Sequence, residues 1–103
     1  MNETALTASV RKNLRTVKGC WVYKTKGGEG TRAGVPDLLI CYAGRFVGVE
    51  VKVPGNHTTE LQNGELRDIS VAGGMTVVAY GLGDVLKVLE AIKPIERLTI
   101  VKR

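Results

Sequence analysis

Two carboxylates and an ammonium stand out in the stretch VPDLLICYAGRFVGVEVK, Val35 to Lys52. Asp37 follows a proline at the start of one run of strand formers, DLLICY, while Glu50 and Lys52 interrupt the valines that end a second run, RFVGVEVK. An antiparallel hairpin turning at Ala43-Gly44 sets Asp37 directly opposite Glu50, with Cβ atoms roughly 4.5 to 5.5 Å apart. Strand alternation then sends Val47, Val49, Val51 and Val53 to one face and Phe46, Gly48, Glu50 and Lys52 to the other. Opposed like charges destabilise a sheet. A divalent cation between them reverses the sign of that interaction, and Mg²⁺ commonly takes only one or two carboxylates, leaving its other positions to water and phosphate. The backbone carbonyl of Val51, between Glu50 and Lys52, offers a further oxygen ligand. Such a cation polarises a phosphodiester and acidifies a bound water. Lys52, a compact point charge, would orient the attacking water or neutralise charge developing on the phosphate oxygens, a positioning role rather than that of a general base. Taken singly, Asp37 reads as a turn residue and Glu50 with Lys52 as solvent-facing alternation. The joint arrangement is what points to phosphodiester chemistry.

The elements that must position these groups fit one domain spanning residues 1–103, whose 44% hydrophobic content can fill a modest core without metal or disulfide staples. Residues 4–18 carry Leu6, Val10, Leu14 and Val17 at helical spacing, with Gly19 as the stop. Arg11, Arg15 and Lys18 form a second stripe on that helix, which is either a solvated face or a phosphate-binding one. CWVYKT, Cys20 to Thr25, is a short strand, and the Gly-rich KGGEGTRAG that follows is a loop. That loop lacks the Walker pattern and precedes a strand, so no nucleotide cofactor is expected. After the hairpin, Thr59 opens a second helix running to Ala72, stopped by Gly73-Gly74. MTVVAY, Met75 to Tyr80, reads as a buried strand parallel to the one ending at Lys52. Asp84 is the expected cap of a third helix bearing Val85, Val88, Leu89 and Ile92, closed by Pro94, and RLTIVK is a last, peripheral strand. The order is αβββαβαβ.

Fifteen Lys and Arg against ten Asp and Glu give a net charge of +5, which favours a polyanionic partner. No window approaches the roughly 18 apolar residues of a membrane span, and the N-terminal stretch lacks a signal-like apolar run, so a cytoplasmic, intracellular protein is expected. Cys20 and Cys41 sit in apolar runs and read as buried thiols; with one histidine, no paired zinc ligands exist. His57 falls in a polar loop as a spectator.

Pro36-Asp37, twelve intervening residues and Glu50-Val51-Lys52, behind an N-terminal helix, resemble the PD-(D/E)xK nuclease superfamily. TRAGVPDLLI, GVEVK and a helix beginning TTELQ resemble its VRR-NUC branch, which is similar in turn to archaeal-type Holliday junction resolvases. The resemblance implies an α/β restriction-endonuclease-like core, αβββαβ, with a mixed central sheet flanked by helices, plus a C-terminal helix and strand. It implies Mg²⁺ or Mn²⁺ on Asp37 and Glu50, a catalytic Lys52, and action on DNA, with branched substrates and homodimers typical of small stand-alone viral members. It also implies a site glutamine on the second helix, matched by Gln62, an acid on the first helix, for which Glu3 is the candidate, and a basic residue ahead of the P-D, matched by Arg32. Gln62 equally fits a T-x-x-Q capping box with Thr59, yet it shares a helical stripe with Leu66, Ile69 and Gly73 that faces the sheet. Arg32 would clamp phosphate, with Arg11 and Arg15 and, more weakly, Lys24 and Lys26 as further nucleic-acid contacts. The leading expectation is thus a divalent-metal-dependent, structure-selective DNA endonuclease. The alternatives are a non-catalytic nucleic-acid-binding module on the same fold and an adaptor using the apolar third helix. Two-fold pairing, expected through the third helix and last strand, would match a junction's symmetry.

Overall fold

Cys20–Lys24 (β1), Leu38–Tyr42 (β2) and Arg45–Val51 (β3) form an antiparallel meander, and Met75–Ala79 (β4) adds to β3 in parallel, giving the order β1-β2-β3-β4. This computed structural model describes residues 1–27 and 30–92. Its three helices are Glu3–Leu14 (α1), Glu60–Val71 (α2) and Leu82–Ala91 (α3), and α2 is the crossover that makes β3 and β4 parallel. The result is a mixed four-stranded α/β fold of the restriction-endonuclease-like type. No helix among the described residues is long and apolar enough to cross a membrane.

The β2–β3 hairpin turns on two residues, Ala43 and Gly44, both at positive φ (51° and 80°). Two positive-φ residues are what a type I′ turn requires, and that turn matches the twist of the flanking strands. Register follows: Tyr42 pairs with Arg45, and Leu38 with Val49. The face carrying Leu38, Ile40, Val47, Val49, Val51 and Ala79 packs under Val10 and Leu14 of α1 and Val85 and Leu89 of α3 to make the core. The apolar stripe of α3 is therefore used within the domain, which removes the ground for an adaptor or an interface built on that stripe. RLTIVK lies outside the described residues.

α2 crosses the other face. A Cβ at Gly48 would lie 2.9 Å from Ile69 Cδ1 and 3.1 Å from Pro36 Cγ, so only a strand glycine lets the helix come this close. Gly34 has φ +88°, and a Cβ there would meet the Leu61 carbonyl oxygen at 2.7 Å; the loop before Asp37 thus rests directly on α2.

Four local expectations are corrected. α1 ends at Leu14 rather than Lys18, because the Thr16 hydroxyl takes the Asn13 carbonyl and Thr16 N–H and Val17 N–H close tight turns instead. α3 starts at Leu82 with Gly81 in the capping position, and Asp84 lies inside its first turn, accepting the Tyr80 N–H at 2.9 Å. β4 stops at Ala79 and is mostly half-buried, being an edge strand of the described sheet; Tyr80 is exposed. Cys41 is exposed and Cys20 half-buried, since Cys41 points to the face that α2 only partly covers.

Candidate active site

Asp37 is the residue before β2. One step beyond the Leu38–Val49 pair, the register sets it against Glu50 of β3, as the hairpin arithmetic requires. Its backbone is pinned by Thr25, the residue after β1. The Thr25 N–H donates to the Asp37 carbonyl at 2.9 Å, and the Thr25 hydroxyl donates to the Pro36 and Asp37 carbonyls at 2.8 and 3.2 Å. The Asp37 side chain accepts the Val51 N–H through Oδ2 at 2.8 Å, which fixes its rotamer and draws the Val51 backbone into the site.

Glu50 is 2% exposed. Gln62 Nε2 donates to its Oε2 at 3.1 Å, and Lys52 Nζ stands 3.9 Å from the same oxygen. Its Oε1 is buried with no hydrogen-bond partner. Burial pushes the Glu50 carboxyl up to about 8, the neighbouring Asp37 charge pushes the same way, Lys52 opposes, and Glu3 adds a small upward push. Where no cation faces it, the fold therefore disfavours the ionised Glu50 carboxylate.

Gln62 makes both the capping contacts and a contact to Glu50. Its backbone N–H donates to Thr59 Oγ1, its Oε1 accepts the Thr59 N–H at 2.9 Å, and its Nε2 remains for Glu50. The cap thus orients the amide that holds the carboxylate.

Lys52 is 7% exposed, and its Nζ lies 3.9 Å from Glu3 Oε1 as well as from Glu50. Glu3 in turn accepts from Asn56 Nδ2 at 3.0 Å, and the Tyr80 hydroxyl donates to the Asn56 carbonyl at 3.2 Å. The first turn of α1 is thereby tied to the site through Lys52. Glu3 does not join the two carboxylates as a third: among the described residues no group of three or more His, Cys, Asp or Glu side chains gathers in metal-holding geometry. Two hard oxygen donors are nevertheless enough for Mg²⁺ or Mn²⁺, and the orphaned Oε1 beside a second carboxylate is the atom such an ion would satisfy.

Arg32 and Lys24 line an adjoining cleft of about 430 Å³ that reaches Asp37. Arg32 is engaged there by Glu65 of α2, Nε to Oε2 and Nη2 to Oε1 both at 2.8 Å, although its side chain is 74% exposed. Arg11 and Arg15 stand apart from the carboxylates, around a hollow at the β1 edge that Lys24 also lines. Four residues of the site have no motif to announce them: Thr25, Asn56, Glu65 and Tyr80. Only Thr25 had a signal, its place at the end of β1 across from Asp37.

No family model matches the sequence, and no curated protein matches it at a significant level. Solved structures do. One described as "VRR_NUC domain protein" superposes with a TM-score of 0.71 at 22% identity, covering 87% of this chain and 86% of its own. Another, described as "VRR_NUC domain", gives a TM-score of 0.68 at 26% identity, covering 88% of this chain and 97% of its own.

Proposed function

This chain has the VRR-NUC domain fold, and from that premise we propose that it is a divalent-metal-dependent DNA endonuclease that hydrolyses phosphodiesters in branched DNA. The observation that carries the reading is Glu50 Oε1, a buried carboxylate oxygen with no donor, facing a second carboxylate and flanked by a buried lysine. A fold tolerates such a group where an outside partner completes it.

Asp37 and Glu50 would hold Mg²⁺ or Mn²⁺, with the Val51 backbone beside them; when bound, the cation supplies Lewis acidity and an acidified water. The chain's own groups do the rest. Gln62 Nε2 fixes the Glu50 carboxylate, and the Val51 N–H fixes Asp37, so both oxygens are in place before substrate arrives. Lys52 Nζ, held between Glu50 and Glu3, orients the attacking water and neutralises charge on the phosphate oxygens. Arg32 and Lys24 line the cleft through which a phosphate backbone would reach Asp37. Two copies related by a two-fold axis would present two such sites to a four-way junction.

Labelled junctions, flaps and duplexes incubated with Mg²⁺, Mn²⁺ or EDTA test the reading. Cleavage should require metal and vanish in Asp37→Ala, Glu50→Ala and Lys52→Ala with the fold retained by circular dichroism. Nicking by the Asp37→Ala/Glu50→Ala double variant would refute it. Light scattering across a concentration series tests the pairing, which a monomer throughout would remove.

A further inference from the structure

β1 is an edge strand whose two sides carry different chemistry. On the side it shares with Cys41 and Phe46, Trp21 and Tyr23 are 57% and 50% exposed, their rings parallel to within 10° and their centroids 6.2 Å apart. On the other side, Arg11, Lys12 and Arg15 of α1 join Lys24 around a hollow of about 350 Å³. Arg11 Nε is buried there without a hydrogen-bond partner. Neither α1 nor β1 carries an acid except Glu3, which Lys52 and Asn56 already engage.

We propose that the β1 edge binds a single-stranded nucleic-acid segment, its bases stacked on Trp21 and Tyr23 and its phosphates held by Arg11, Arg15 and Lys24. Flat aromatic faces take any unpaired base, whereas bases of a duplex are already stacked and out of reach. The cation shelf beside them supplies the backbone contacts, and Arg11 Nε gains the acceptor it lacks. From Trp21 the strand runs to Thr25, opposite Asp37, a path of roughly 13 Å at about 3.3 Å per residue. A strand lying on the edge therefore leads into the cleft beside Asp37. A second copy of the chain fits worse, because two-fold pairing across β1 brings two cation shelves together. The path into the cleft rests on the nuclease reading; the binding does not.

Trp21 is the single tryptophan, so selectively excited tryptophan emission reports this edge alone. The intact protein in EDTA is titrated with an oligothymidylate and, at equal phosphate, with a blunt duplex. Saturable quenching by the single strand and none by the duplex is the expected result. Tyr23→Leu should weaken single-strand binding roughly 10-fold, within the usual range for one stacked base. Arg11→Ala/Arg15→Ala should flatten the slope of log affinity against log salt by about 0.7 for each phosphate that is no longer neutralised. Absence of quenching, equal quenching by duplex, or a spectral shift driven by protein concentration alone would overturn the proposal, the last in favour of a second copy. The unsubstituted protein decides the matter even if a variant fails to fold. A protein that is quenched by the oligonucleotide yet never cleaves refutes the nuclease reading alone; one that cleaves with Trp21 unquenched refutes the edge site alone.

Discussion

Glu50→Gln in metal-free protein measures how far the site is electrostatically unsatisfied. The Glu50 carboxyl stands at about 8 in the fold against an ordinary 4.5, so between those values the folded state binds more protons than the unfolded one. Stability must then fall as pH rises through that window and level off above about 8. At about 1.36 kcal/mol per unit the ceiling is between 4 and 5 kcal/mol, and relaxation of the site around the ionised carboxylate reduces the realised loss to about 2 to 4 kcal/mol. The substituted amide removes the loss: its carbonyl can still accept from Gln62, and its N–H donor occupies the Oε1 position and points at Asp37. In EDTA at pH 8.5 the variant should melt roughly 8 to 32 °C above the parent, at the 4–8 °C per kcal/mol usual for chains of about this size, and the difference should close near pH 5. Added Mn²⁺ should recover most of the gap for the parent and shift the variant little. Differential scanning calorimetry at four pH values, with and without Mn²⁺, reads all of this. A variant less stable than the parent in EDTA at pH 8.5, or a parent whose melting temperature climbs from pH 5 to 8, would refute the reasoning.

Ala43→Gly should stabilise the protein by about 0.5 to 1 kcal/mol, visible as a melting shift of a few degrees, because it relieves a non-glycine residue at φ 51°. Thr59→Ala and Gln62→Ala should each cost about 1 kcal/mol of stability through the cap, but only Gln62→Ala should lower kcat in the cleavage assay, since only Gln62 holds Glu50. Glu65→Gln should leave the stability within about 1 kcal/mol of the parent and lower KM by freeing Arg32 for phosphate, whereas Arg32→Ala should raise KM; shifts of the same sign would show that the Arg32–Glu65 pair does not compete with substrate.

The meeting of Asp37 with Glu50 was legible because a tight two-residue turn leaves strand register no freedom, and a period of two does the rest. Gln62 was legible for a related reason: the capping box fixes where α2 begins, and helical spacing then fixes which side chain faces the sheet. What escaped depends on competition between neighbours of similar strength. The end of α1 is set by Asn13 and Thr16 making local bonds that the apolar stripe ending in Val17 gave no sign of. Exposure of Cys41 depends on how far α2 reaches across a sheet whose strands are apolar on both faces. The capture of Arg32 by Glu65 needs the loop to lie on α2, which Gly34 permits by its missing Cβ but no residue pattern announces.

Among the described residues two buried side-chain polar atoms lack partners, Glu50 Oε1 and Arg11 Nε, an acid oxygen and a guanidinium nitrogen. Folded chains satisfy nearly all such atoms internally, because each one left bare costs about 1 to 3 kcal/mol. The sequence had neutral ways to fill both places; an amide in place of Glu50 or an aliphatic residue in place of Arg11 would remove the penalty. Their signs are opposite, so no single ligand answers both: Glu50 calls for a cation and Arg11 for an anion. On the readings proposed above, a nucleic-acid strand laid from the β1 edge to the cleft at Asp37, together with a divalent ion held by Asp37 and Glu50, would meet both demands at once. The bound state that would complete the carboxylate pair would then also complete the cation shelf, and saturating single strand with Mn²⁺ should raise the melting temperature by more than the two additions do separately. Strictly additive shifts would mean that the two atoms serve unrelated partners.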